Sequence, residues 1–229
     1  VTAVVAIRGS GLEPAALEFI DGVTAAMLSE HGGADFGRRP TLFMEFHAVH
    51  EESLRLGLVE VATICRELGV KDIRTTADPT ERQKLWWARH HLFETQVRLH
   101  PGLRWLILDV AVPLSAYPAL VGFVRRELER AGFVGYMVGH AGDGNLHVTL
   151  PFTDEASYEA ATAVNAAIVQ QALDLEGTAS GEHGIGIGKR GYMRQEHGPA
   201  VDVMQAIKQT LDPHGILNPG KVLPVKREG

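Results

Sequence analysis

The stretch FVGYMVGHAGDGNLHVTLPF, residues 133–152, decides the fold. Phe133 to His140 and Leu146 to Phe152 read as strands, and Gly142-Asp143-Gly144-Asn145 between them is turn-forming, so the segment reads as a hairpin. A two-strand hairpin is antiparallel, so the alternation of helices and strands elsewhere cannot build a purely parallel sheet. The expected class is α+β: an antiparallel or mixed sheet with helices mainly on one face.

Upstream, Val1 to Ile7 reads as a strand and Glu13 to Leu28 as a helix ending near Glu30, followed by a glycine-rich, charged loop from His31 to Pro40. Thr41 to Val49 alternates as a strand, with Leu42, Met44 and Phe46 on one face and Phe43, Glu45 and His47 on the other. Glu51 to Leu68 is an amphipathic helix closed by Gly69, and Lys71 to Thr76 reads as a short strand. Asp78-Pro79-Thr80-Glu81 places a capping side chain before a proline at the first helical position, which starts a helix expected to run to about Arg98. Trp105 to Val112 is a strand stopped by Pro113, and Ser115 is placed to cap the helix that continues to Arg130. Downstream of the hairpin, Asp154 to Leu175 is a long alanine-rich helix. A second glycine-rich stretch follows, then a helix from Pro199 to Leu211 and a tail, Asp212 to Pro224.

The 229 residues, 45% of them hydrophobic, suffice for a substantial core. A net charge of -6 without long Lys/Arg runs gives no footprint for nucleic acid. No apolar stretch approaches the roughly 20 residues of a membrane-spanning helix. The lone cysteine, Cys65, excludes an internal disulfide framework and fits a reducing compartment, so the expected location is cytoplasmic, with peripheral membrane association left open. Cys65 sits mid-helix at a core-like position, as inert packing. A first residue of valine is compatible with a fragment of a longer chain.

The chemistry concentrates in two motifs, Gly-His-Ala-Gly-Asp-Gly-Asn-Leu-His at 139–147 and Ser-Gly-Glu-His-Gly-Ile-Gly-Ile-Gly-Lys-Arg at 180–190. If His140 and His147 stand opposite each other across the hairpin, their Cβ atoms are about 5 Å apart and both imidazoles reach one ion. Glu182 supplies an oxygen ligand. Two histidines and one carboxylate leave coordination positions open, as a catalytic zinc, manganese or iron site requires. The competing reading is a set of hydrogen-bonded loop residues without an ion. His183, beside the ligand carboxylate, is a candidate general base.

Gly186-Ile187-Gly188-Lys189-Arg190-Gly191 matches G-x-G-x-x-G formally, but no strand precedes it and no βαβ unit surrounds it, which excludes a Rossmann site. A phosphate-binding P-loop is excluded as well, because His183 stands where its first glycine belongs. Arg89, on the helix after Trp86-Trp87, has the guanidinium fork that holds a carboxylate bidentately. Glu45 and His47 share a strand face and are a second-tier pair, more simply a buried hydrogen-bonded one.

These residues resemble the C-terminal domain of the FAD-linked oxidases of the vanillyl-alcohol oxidase superfamily, in particular the D-lactate dehydrogenase (cytochrome) and glycolate oxidase branch. The resemblance is carried by Pro40-Thr-Leu-Phe-Met-Glu-Phe-His47, Leu85-Trp-Trp-Ala-Arg-His90, Leu108-Asp-Val-Ala-Val-Pro-Leu-Ser115, both histidine motifs and Leu211-Asp-Pro-His-Gly-Ile-Leu-Asn-Pro-Gly-Lys-Val222. It implies that residues 1–229 form a ferredoxin-like substrate and cap domain, with the FAD-binding domain upstream or on a partner chain. His140, His147 and Glu182 then match ligands of a divalent metal, zinc or manganese. His183 matches the active-site histidine, Arg89 the substrate-carboxylate arginine, and Asn218 a segment that folds back toward FAD. The implied activity is oxidation of a small D-2-hydroxy acid such as D-lactate, with hydride passing to FAD and on to an electron acceptor. Phe93 and the apolar run Leu106-Ile107-Leu108 stand where related 2-hydroxyglutarate dehydrogenases carry polar contacts, which argues against a dicarboxylate. This chain alone is expected to be inactive. A flavin-free metal-binding or partner-docking module is the alternative, and metal-assisted hydrolysis by a His/His/Glu site is a third.

Overall fold

The computed structural model describes residues 1–223. The chain runs through α1 (Thr2–Gly9), β1 (Ala16–Ile20), α2 (Gly22–His31), β2 (Thr41–Glu45), α3 (Glu51–Glu67), α4 (Pro79–His90) and α5 (Leu92–Leu99). It continues through β3 (Arg104–Ala111), α6 (Tyr117–Ala131), β4 (Tyr136–Gly139), β5 (Asn145–Phe152) and α7 (Glu155–Asp174). Short helices α8 (Gly186–Lys189) and α9 (Met193–His197) then lead to α10 (Ala200–Leu211).

The strands form one sheet in the order β2-β1-β4-β5-β3, and every neighbouring pair is antiparallel. The hairpin from which the α+β class was read is therefore at the sheet's centre: Tyr136, Met137 and Val138 of β4 face Thr149, Val148 and His147 of β5. One face is closed by α6 and α7. Leu17 and Phe19 of β1, Leu108 and Val110 of β3, and Leu146, Val148 and Leu150 of β5 pack there against Leu120, Val124, Val164 and Ile168. Phe19 meets the buried Tyr117 edge to face, ring centres 6.3 Å apart.

The opposite face is divided. At one end Ile20, Tyr136 and Val138 pack beneath Ala25 and Leu28 of α2, Ala88 of α4 and Leu92 of α5. The rest of that face carries polar residues, Glu18, Asp109 and His147, each buried. A third, smaller core joins Ala3 and Ile7 of α1 to Val61 and Cys65 of α3.

Helix termini follow local chemistry. Asp78 Oδ1 accepts from the amides of Thr80 and Glu81 at 2.7 and 3.0 Å, ahead of Pro79. Asp154 and Ser157 form a reciprocal capping box at α7. Ser115 does not cap: residues Leu114–Ala116 form a 3-10 turn with no side-chain cap bond, which feeds directly into α6.

Four other expectations are corrected. Val1 to Ile7 is helical: Ala3, Val4 and Ile7 form a helical stripe buried against the rest of the fold, and that packing overrides the β-branched composition. Glu13 to Leu28 is not one helix but β1 followed by α2, broken at Asp21, whose side chain caps α2 by accepting from Thr24 N at 2.9 Å. Lys71 to Thr76 forms no strand; its residues are mostly exposed, and Arg74 reaches Asp35 instead. The helix expected to reach Arg98 breaks at His91, which ends α4 and begins α5.

Truncating the sheet-to-helix contact at Phe19→Ala is expected to cost about 3–5 kcal/mol, a large-to-small change in a filled core. Val49→Ala, at a 93% exposed position, should stay within about 0.5 kcal/mol. Equal urea-unfolding midpoints for the two variants would contradict this placement of β1.

Candidate active site

The polar half of the second face is organised by Asp109. On β3 it pairs with His147 of β5, which pairs in turn with Val138 of β4, so the three side chains share a face. Asp109 Oδ2 accepts from the backbone amides of Glu182 and His183, both at 2.9 Å, and Oδ1 accepts from Asn145 Nδ2 at 2.7 Å. His147 Nδ1 lies 3.4 Å from Oδ1, a close contact short of a full hydrogen bond. Lys189 Nζ donates to the Asp109 carbonyl at 2.6 Å. Burial alone favours the neutral acid, but the contacts with His147, the His183 and Glu182 amides and Asn145 outweigh it and hold the Asp109 carboxyl far below the usual range.

Two glycines permit this approach. A Cβ on Gly181 would sit 2.1 Å from Asn145 Nδ2 and 2.7 Å from Asp109 Oδ1, so only glycine lets the chain bring Glu182 and His183 onto the carboxylate. Gly144 has φ +73°, and a Cβ there would lie 2.0 Å from the Val112 carbonyl. The 3-10 turn Ala141–Asp143 between β4 and β5 closes through the amides of Asp143 and Asn145, which both donate to the His140 carbonyl.

His140 and His147 are not directly opposite, since His147 pairs with Val138 and His140 lies two residues further on, at the turn. Their rings nevertheless meet edge to face, centres 5.6 Å apart. Glu182 Oε1 lies 3.0 Å from His147 Nε2 and 3.4 Å from His140 Nε2. One ligand atom from each of His140, His147 and Glu182 lies within 4.8 Å of the others. One ligand atom from each of Asp109, His147 and His183 also lies within 4.8 Å of the others, but the Asp109 oxygens already accept the N–H donors described above. His183 stacks on His147, planes 7° apart and centres 4.8 Å apart, with its side chain 45% exposed and Nε2 4.0 Å from Glu182 Oε1.

Glu18 is not among the candidate residues legible in the sequence. This β1 residue is buried on the polar face, where Oε1 accepts from His140 Nδ1 at 2.6 Å and Oε2 accepts from Arg89 Nε at 2.8 Å. Burial works against its ionisation, but the His140 hydrogen bond and the Arg89 charge prevail, so its carboxyl titrates below the ordinary range. The same hydrogen bond raises the His140 pKa. Arg89 thus stands beside the histidine group, linked to it through one carboxylate. The signal that could have revealed Glu18 is the alternation Leu17, Phe19 against Glu18, Ile20, a strand pattern hidden within a longer stretch read as helical.

Other candidates lie elsewhere. Asn218 is exposed in the tail, in the left-handed region at φ 47°, and its carbonyl accepts from the Lys221 amide at 3.3 Å. Glu45 and His47 do hydrogen-bond, at 2.9 Å, but with His47 largely exposed. Of the apolar run, Leu108 and Leu106 turn toward the helix-packed core, and only Ile107, 44% exposed, shares the face of Asp109. Phe93 packs edge-on to Trp105, centres 6.0 Å apart. Cys65 is buried, and burial pushes its thiol pKa up. Among the described residues no helix is long and apolar enough to cross a membrane.

Comparison with known proteins gives a consistent result. Residues 1–222 match the family described as FAD linked oxidases, C-terminal domain. The chain is 34% identical over 226 residues to the probable mitochondrial D-lactate dehydrogenase of Danio rerio, covering 97% of this chain and 45% of that protein. It is 33% identical over 223 residues to the mitochondrial D-lactate dehydrogenase [cytochrome] of Arabidopsis thaliana, covering 96% and 39%. Against glycolate oxidase subunit GlcD of Escherichia coli (strain K12) the identity is 29% over 223 residues, covering 95% and 44%. The chain therefore spans less than half the length of these relatives. Among solved structures, p-cresol methylhydroxylase with substrate bound superposes with a TM-score of 0.66 at 14% identity, over 100% of this chain and 50% of that one, a likeness of fold.

The close approach at Gly181 is testable by amide hydrogen exchange. Gly181→Ala should lose protection at the Glu182 and His183 amides and melt at lower temperature. Gly188→Ala, where an added Cβ meets nothing within 4 Å, should leave those amides as slow as in the parent. Unchanged protection in Gly181→Ala would refute the Asp109 anchoring of this loop.

Proposed function

The chain belongs to the family of FAD linked oxidase C-terminal domains, and on that premise we propose that it is the substrate- and metal-binding part of a flavin-dependent D-2-hydroxy-acid dehydrogenase. The observation that carries the reading is the convergence of His140, His147 and Glu182, from two separate glycine-rich motifs, to within 4.8 Å. The donor set fits a divalent cation, because each histidine has its other ring nitrogen against a carboxylate, Glu18 for His140 and Asp109 for His147. Such carboxylate–histidine pairs orient imidazole ligands and raise their basicity. His140 Nε2, His147 Nε2 and a Glu182 oxygen would hold the ion, zinc or manganese. When bound, a divalent ion supplies Lewis-acid stabilisation of the alkoxide that develops on the substrate hydroxyl. When bound, FAD, held mainly by a part of the protein outside this chain, supplies the acceptor for the hydride leaving Cα.

The residues of this chain position and deprotonate. Arg89 has its Nε tied to Glu18, which leaves the Nη edge of its guanidinium to hold the substrate carboxylate. His183 is half-exposed beside Glu182 and takes the hydroxyl proton at its imidazole as general base. Ile107, the one exposed apolar residue of its run on this face, favours a short or apolar 2-hydroxy acid of the D-lactate kind over a dicarboxylate. Asn218 in the tail is the residue we assign to the flavin side. The D-lactate dehydrogenase relatives support the substrate class.

Two measurements test this. Titrating the chain with Mn²⁺ or Zn²⁺ should give a single site that His140→Ala/His147→Ala abolishes; equal metal content in parent and variant would sink the ligand assignment. In the complete flavoenzyme, His183→Gln should lower kcat by about 10²–10⁴-fold with KM for D-lactate little changed, as expected for loss of a general base. Turnover at the parent rate would remove His183 from that role.

A further inference from the structure

Glu18 is an acceptor shared between two donors of different character. Arg89 Nε is an obligate donor, since a guanidinium has no acceptor atom, whereas an imidazole nitrogen either donates or accepts according to its tautomer. The carboxylate of Glu18 takes Arg89 on Oε2 and His140 on Oε1, at 2.8 and 2.6 Å. An ionised carboxylate only accepts, so His140 must carry a proton on Nδ1, and in the neutral ring its Nε2 then presents a lone pair toward Glu182, 3.4 Å away. Glu18 is 4% exposed, so its oxygens are largely shielded from water.

We infer that Glu18 is a positioning residue that sets the His140 tautomer and so makes Nε2 a ligand atom, and that Arg89 fixes the direction in which Glu18 acts. The consequence for ion binding rests on the cation reading of His140, His147 and Glu182, whereas the tautomer itself does not. A specific asymmetry follows. In Glu18→Gln the amide oxygen must turn to Arg89, which can only donate, and the amide NH₂ must then face His140. An NH₂ needs an acceptor, so His140 Nδ1 gives up its proton, the proton moves to Nε2, and the lone pair facing Glu182 is lost. Removing Arg89 as well frees the amide to turn its oxygen back to His140.

The test is ¹⁵N NMR of the histidine rings in alkaline buffer, where the imidazoles are neutral, together with calorimetric titration of Mn²⁺ alone. The parent should show His140 as the Nδ1–H tautomer, Glu18→Gln as the Nε2–H tautomer, and Glu18→Gln/Arg89→Met as Nδ1–H again. Mn²⁺ affinity should fall about 10- to 100-fold in Glu18→Gln, the usual effect of losing a ligand's supporting carboxylate, and recover at least in part in the double variant. A merely structural role for Glu18 would not make a second substitution restore the tautomer. An Nε2–H tautomer in the parent overturns the inference even if the variants fail to fold, as does an unchanged Nδ1–H tautomer in a folded Glu18→Gln. A parent chain that binds no Mn²⁺ overturns the cation reading instead, and the ring shifts still decide the role of Glu18.

Discussion

Asp109 is a carboxylate placed inside a sheet face, and it would be a liability without the donors brought to it. Isolated, a buried carboxylate would take up a proton. Here it is met by two loop amides, a side-chain amide and a histidine, with the Lys189 ammonium 3.4 Å from Oδ2. The dependence runs both ways. Residues 180–183 have no regular secondary structure, so their placement depends on these bonds. Because Asp109 also faces His147 across the β3–β5 pair, the sheet and the second glycine-rich motif are locked into one register.

The division of the sheet's faces explains why the polar cluster stands where it does. Strand alternation sends Leu17, Phe19, Leu108, Val110, Leu146 and Val148 into the core beneath α6 and α7, which obliges Glu18, Asp109 and His147 to point the other way. On that side α2, α4 and α5 cover only the end nearest Ile20 and Tyr136. Arg89 lies on α4, one residue after Ala88, which is buried in that cover, so it emerges at the boundary between the apolar and polar halves. The apolar packing of α4 thereby delivers a guanidinium to Glu18.

Much of this was legible in the chain, and the failures have physical causes. The central hairpin and the cap at Asp78 follow from local chemistry, turn glycines and a capping side chain, whereas the grouping of Glu182 with His140 and His147 is suggested by the two glycine-rich motifs and the family resemblance, not by local pattern. Three elements were misread because tertiary packing decided them. Val1 to Ile7 is β-branched yet helical, since α1 packs Ala3 and Ile7 against Val61 and Cys65 of α3. Lys71 to Thr76 has strand-like residues but pairs with no strand. The five residues of β1 were absorbed into the apolar periodicity of α2, and with them went Glu18, because a period-two pattern this short is easily masked. Asp109 shows in the sequence only as part of a strand motif, since its partners lie more than 35 residues away and leave no local trace.

The electrostatics of the cluster connect the fold to its proposed chemistry. Glu18, Asp109 and Glu182 bring three carboxylates to one region of the sheet face, while Arg89 and Lys189 supply two fixed cations. Arg89 is engaged by Glu18 and Lys189 by Asp109, so the remaining negative charge resides on Glu182, the carboxylate that the Nε2 atoms of both His140 and His147 approach. That charge is balanced in either of two ways. A proton on His140 does so, a state favoured chiefly by the hydrogen bond to Glu18 and in smaller part by the Glu182 charge; a divalent cation between the three side chains does so more completely while leaving the histidines neutral. The two compete for the same Nε2 lone pair, so the arrangement that secures Glu18 and Arg89 on one side of His140 also determines what its other side can bind.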